Sequence, residues 1–114
     1  GFERERVKSV AGLRTHMLVG VGSTLITVVS YYAYPQDPAR IAAGIVTGIG
    51  FLGAGTIFKS RSHVRGLTTA ASIWAIAGVG IALGLAMYYA AVIATIIILI
   101  TLELNRFEKE KGKY

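Results

Sequence analysis

Residues 66–102 read GLTTAASIWAIAGVGIALGLAMYYAAVIATIIILITL, 37 positions without one Asp, Glu, Lys or Arg. A helix rises about 1.5 Å per residue and a bilayer core is about 30 Å thick, so one crossing takes about 20 apolar residues. The segment is nearly twice that length. It reads as two helices folded back on each other, with the turn at 84–89, where Gly84 permits a reversal and Tyr88 and Tyr89 suit the headgroup level.

Two further charge-free runs precede it: Thr15–Gln36, 22 residues, and Ile41–Phe58, 18 residues. The spacing predicts four helices, over about 14–33, 39–58, 67–84 and 88–105. The predicted fold is an all-α membrane protein, a compact bundle of four transmembrane helices. Open strands cannot cross lipid with unpaired edges, and the alternation of a barrel is absent. Only 16% of the 114 residues are charged, against roughly 25% in a soluble domain. The chain has no cysteine, which excludes disulfides and thiolate metal sites. No signal-peptide pattern opens it.

The net charge of +6 is distributed in blocks. Arg4, Arg6, Lys8 and Arg14 precede or open the first run. Lys59, Arg61 and Arg65 separate the second and third helices. Arg106, Lys109, Lys111 and Lys113 follow the fourth. All these fall on one side of a four-span fold, and Arg40 alone falls on the other. By the positive-inside rule the crowded side is cytoplasmic, with the C-terminus. The chain then divides into a membrane domain, 1–105, and a basic cytoplasmic tail, 106–114. Basic blocks flanking apolar runs point to a bilayer partner, not to nucleic acid.

Gly48-Ile49-Gly50-Phe51-Leu52-Gly53 matches the dinucleotide fingerprint. It lies inside an apolar run, and no acid occurs between Asp37 and Glu103, so the fingerprint is rejected. Helix packing is the better reading: Gly44 and Gly48 form one GxxxG, Gly80 and Gly84 another, and Gly50, Gly53 and Gly55 add small surfaces. The helices that meet are either in one subunit or in two, and a homodimer is expected. Ser23, Thr24, Thr27 and Ser30 bond to backbone or across helices, or else line a polar pathway. His16 reads as a hydrogen-bonded flank. Asp37 before Pro38 reads first as a helix cap and second as a metal ligand. Thr68 or Thr69 can cap the third helix, beside a basic loop suited to an anion. No catalytic constellation and no cofactor motif is present, so no enzyme is expected.

The blocks GFERER…AGLRTHMLVGVGSTL, DPARIAAGIVTGIGFLGAGTIFK and VRGLTTAASIWAIAGVGIALG resemble, in this order, the MgtC/SapB family of bacterial membrane proteins. The resemblance implies a multi-pass protein of the bacterial inner membrane, linked to magnesium limitation, with one more helix before the first block. It marks Glu3 and Arg4, Gly12 to Thr15 (with Arg14), Asp37, Arg40, Gly48 to Gly55, and Arg65, Gly66, Leu67, Thr69 and Trp74. Two functions follow. One is magnesium homeostasis, with transport as its sharper form and magnesium as substrate or signal. The other is a non-transporting regulatory module, which binds other inner-membrane proteins or anionic lipid through Gly-lined faces and the cluster of Arg4, Arg14, Arg65 and Thr69.

Overall fold

A computed structural model describes residues 1–59 and 63–112, with side chains up to Leu104. The order is α1 (Phe2–Arg6), α2 (Leu13–Ala33), α3 (Pro38–Ala54), β1 (Phe58–Lys59), β2 (Val64–Arg65), α4 (Leu67–Gly84) and α5 (Tyr88–Gly112). The chain is mostly helical, and α4 is central, touching α2, α3 and α5.

Two features depart from the sequence reading. The expected helix over 39–58 stops at Ala54. Gly55 and Thr56 turn back onto it, the Gly55 N–H donating to Phe51 O and Leu52 O and the Thr56 N–H to Gly53 O, and the chain leaves in an antiparallel ladder pairing Phe58 with Arg65 and Lys59 with Val64. The fold is therefore not purely α. The cause is the Thr56 side chain: buried, it donates to Gly53 O at 2.7 Å and lies 3.4 Å from Gly66 O. A short helix α1 also precedes the first long one. The acid–base alternation of the tail from Glu103 allows an extension of the fourth helix, and α5 indeed continues through 112, while residues 113–114 lie outside the described residues.

The reversal expected at 84–89 is present at Leu85–Met87, with Ala86 at φ 60° and its N–H on Leu83 O. Gly66 is the second tight point. Its φ is +86°, and a Cβ there would collide with Thr56 O, so glycine is required.

Cross-helix contacts fix the directions. His16 meets Ser72, Gly80 meets Ser23 and Gly84 meets Thr27, so α2 and α4 run parallel. Gly53 packs on Ala70, and Ser30 Oγ donates to Pro38 O at 3.2 Å, so α3 runs against both. Residues 67–75 of α4 border 97–102 of α5, and Val79 and Leu83 border 91–96, so α5 is antiparallel to α4. One end of the bundle therefore gathers Arg4, Arg6, Lys8, Arg14, Lys59 and Arg65, while Arg40 lies at the other. Arg61 lies outside the described residues.

Polarity is inverted relative to a water-soluble bundle. Along α2 the buried positions are His16, Val19, Ser23, Thr27 and Ser30, while Met17, Leu18, Val21 and Leu25 face outward. On α5 the outward positions include Tyr89, Val92, Ile93, Ile96, Ile97 and Ile100. Two helices, α2 and α4, are long and apolar enough to cross a membrane; α3 and the apolar part of α5 (Tyr88–Leu104) are shorter.

Gly80→Val should break the α2–α4 contact, because its Cβ would overlap Ser23 Oγ and lie 2.8 Å from Gly20 O. The expected loss is about 2 kcal/mol, the cost of overpacking, read as a lower melting temperature in detergent. A Cβ on Gly48 would meet nothing within 4 Å, and Gly48→Val should stay within about 1 kcal/mol of the parent.

Candidate functional site

The polar side chains converge where α1 and the starts of α2 and α4 meet. Glu3 and Arg4, adjacent in α1, are both buried and form a two-pronged pair: Arg4 Nε donates to Glu3 Oε1 at 2.7 Å and Nη2 to Oε2 at 3.0 Å. A guanidinium and a carboxylate can leave water together only with such matched geometry. The Arg4 hydrogen bond holds the Glu3 carboxyl below the usual glutamate range, against the opposing effect of burial.

Glu5 reaches eight residues along the chain. Its Oε1 accepts the Leu13 N–H at 3.0 Å and so satisfies one free amide in the first turn of α2. A Cβ on Gly12 would collide with that oxygen, so glycine leaves the path open. Arg6 Nη2 bridges to Glu103 Oε1 of α5 at 2.6 Å. The loop after α1 is tied to α4 by a short contact between the Ser9 and Thr69 hydroxyls. Lys8, at φ 58°, makes the bend that brings Ser9 there. Thus polar contacts fasten α1 and its loop to α2, α4 and α5.

His16 is the buried centre of this end. Its Nδ1–H donates to Gly12 O at 2.7 Å, because a carbonyl can only accept. Nε2 lies 2.8 Å from Ser72 Oγ, which itself lies 2.8 Å from Thr69 O. With a neutral ring the Ser72 hydroxyl donates to Nε2; with a charged ring it turns to Thr69 O and accepts from Nε2–H. Each proton state leaves every group bonded. Among the described residues no buried side-chain nitrogen or oxygen lacks a partner.

Of the residues expected to form a functional cluster, Glu3, Arg4 and Thr69 are buried within this junction. Arg14 and Arg65 are exposed at the same end and Thr15 is half-buried there. Arg40 is at the far end, 3.4 Å from Asp37. Asp37 occupies the N-cap position of α3, with Pro38 in the first turn, but its carboxylate makes no cap bond. That corrects the expected cap: the carboxylate is turned outward beside the exposed Arg40 guanidinium. The expected cap by Thr68 or Thr69 is likewise replaced by Gly66, since the Thr69 hydroxyl is committed to Ser9. Trp74 is exposed on the outer face of α4. Among the described residues no group of three His, Asp or Glu side chains is placed to hold a metal ion.

The glycines divide into two sets. Gly80, Gly84 and Gly53 meet neighbouring helices, and Gly55 meets its own turn. Gly44, Gly48 and Gly50 face open space. The α2 hydroxyls are directed to backbone: Ser23 and Thr24 to Gly20 O, Thr27 to Ser23 O and Ser30 to Pro38 O. Glu5, Ser9 and Ser72 carry no mark of site residues in the sequence alone, and Gly12 is marked only through the resemblance. Their roles depend on a fold that brings positions 5 and 13, and 9 and 69, together.

The model of the MgtC family matches residues 1–110. The chain belongs to the MgtC family. It is 50% identical over 99 residues to the protein MgtC of Salmonella typhimurium LT2, covering 87% of this chain and 43% of the relative. It is 48% identical over 100 residues to MgtC of Brucella abortus, covering 87% and 42%. A protein of Escherichia coli K12 named "Putative magnesium transporter YhiD" is 43% identical over 112 residues, covering 90% and 52%. The chain thus spans about half the length of these relatives. No solved structure matches it.

Glu3 gives the junction a pH dependence. A carboxyl whose folded pKa is depressed contributes stability above its unfolded pKa and loses it as pH falls through the folded value. Acidification below the ordinary glutamate range should release α1 from the bundle, seen as faster amide exchange at residues 2–12 in detergent. Glu3→Gln should show that faster exchange already at neutral pH, with little further change on acidification.

Proposed function

We propose that the protein is a multi-pass protein of the bacterial inner membrane, crossing four times through α2–α5 with its basic end and C-terminus cytoplasmic, and that it serves adaptation to low magnesium as a non-transporting regulatory module. The crossing is supported by the inverted polarity of the helices and by the gathering of cations at one end, which the positive-inside rule assigns to the cytoplasm. The magnesium connection is supported by family membership and by the name of the YhiD relative.

The observation that carries the non-transporting reading is how the α2 hydroxyls are used. Ser23 and Thr27 donate to their own helix and are pressed by Gly80 and Gly84 of α4. A cation stripped of water needs several converging oxygens. These oxygens instead form a packing seam. Partner binding would then use the outward helix faces, including the open Gly44–Gly48 face of α3, through which a homodimer forms. No reaction is assigned to the protein.

Magnesium transport is the second reading, favoured by the relative's name. One experiment separates the two. The complete protein restores growth of a strain lacking it at low magnesium; purified into liposomes with an internal magnesium indicator, it gives no flux above empty vesicles. Flux above that control would favour transport. In native membranes the parent cross-links to a second copy and Gly48→Val does not; cross-linking unaffected by that change would remove the α3 dimer.

A further inference from the structure

The β1–β2 ribbon is the one described element whose side chains the bundle does not use. Phe58, Lys59, Val64 and Arg65 are all exposed. Residues opposite each other on a ladder share a face, and successive residues take opposite faces. Phe58 and Arg65 therefore share one face, and Lys59 and Val64 the other. Each face carries one apolar group and one cation. Neither face is apolar enough to lie in hydrocarbon, nor polar enough to stand in water at no cost. Both are matched by the headgroup layer, where an apolar body can enter the acyl boundary while a cation stays among phosphates.

The ribbon is also held firmly. Its base is Thr56 against Gly66, where the left-handed glycine and the Thr56 carbonyl touch. Gly53, one turn earlier, packs on Ala70 of α4. A load on the ribbon thus bears directly on the α3–α4 contact. Lys59 and Arg65 are both exposed, and among the described residues neither has an acidic partner.

We infer that the β1–β2 ribbon, through Phe58, Lys59, Val64 and Arg65, is an anionic-lipid contact that stands within the headgroup layer of the inner leaflet with lipid on both faces, each face turning its apolar side chain toward the acyl boundary and its cation to lipid phosphates, in competition with magnesium for those phosphates. It deepens the proposed magnesium function, on which it rests, by naming the partner surface. A divalent cation binds the same headgroups and weakens the negative surface potential, so falling magnesium strengthens the contact and rising magnesium releases it.

The test uses the complete protein carrying Trp74→Phe and Phe58→Trp, reconstituted in vesicles of phosphatidylcholine and phosphatidylglycerol in equal parts, with one or the other lipid brominated. Trp at 58 should be quenched more by brominated phosphatidylglycerol, and added magnesium should abolish the difference. Lys59→Gln and Arg65→Gln should each reduce the selectivity about fivefold, the effect of one cation at the surface. A Trp left at its natural place, with Phe58 unchanged, reports on α4 and should show no selectivity. Equal quenching by the two lipids, or selectivity that magnesium does not relieve, overturns the inference. If that occurs while the protein still restores growth at low magnesium, the functional reading stands; selective, magnesium-sensitive quenching without growth rescue removes the functional reading alone.

Discussion

The parallel contact between α2 and α4 determines how everything else is arranged. Two helices separated by a third in sequence can lie parallel only if that third returns antiparallel to both, which α3 does. Their closeness comes from glycine on one side and small hydroxyls on the other: Gly80 on Ser23, and Gly84 on Thr27. In lipid the apolar drive between helices is lost, and close packing with satisfied polar groups takes its place. The hydroxyls serve that end because each bonds to a carbonyl of its own helix or a neighbour's start. They supply volume and leave no unmet donor.

The same parallel arrangement creates the polar junction. It sets the starts of α2 and α4 side by side, so that the His16 ring can span from Gly12 O to Ser72 Oγ. Starts of two helices expose free N–H groups together. Glu5 answers one of these at Leu13, and α1 delivers it. The small N-terminal helix thus closes one end of the bundle, with Glu3 and Arg4 neutralising each other as they are covered.

Much of this fold was legible because it follows from long-range composition. The 37-residue uncharged run, halved at a glycine followed by two tyrosines, set the boundaries of α4 and the start of α5, and Leu85–Met87 is where the chain turns. Charge blocks indicated the alternation of direction. The end of α3 was not legible: Ile57 and Phe58 are as apolar as the helix before them, and only the approach of Gly66 to Thr56 explains why helix gives way to a ribbon. The junction was half legible. Glu3, Arg4 and Thr69 came from resemblance, but Glu5, Ser9 and Ser72 carry no local signal, because their partners lie 8, 60 and 56 positions away. Local capping rules misassigned Asp37 and Thr69: the Asp37 carboxylate makes no cap bond and lies beside Arg40, and Thr69 falls inside α4, past the Gly66 N-cap, with its hydroxyl against Ser9.

The most direct test of the account is the sidedness of the two ends. The chain has no cysteine, so single substitutions Gln36→Cys and Val64→Cys can be labelled in intact cells with a maleimide that does not cross the inner membrane. The four-span reading predicts labelling at position 36 before permeabilisation and at position 64 only after it. Labelling of both positions from the same side would contradict it.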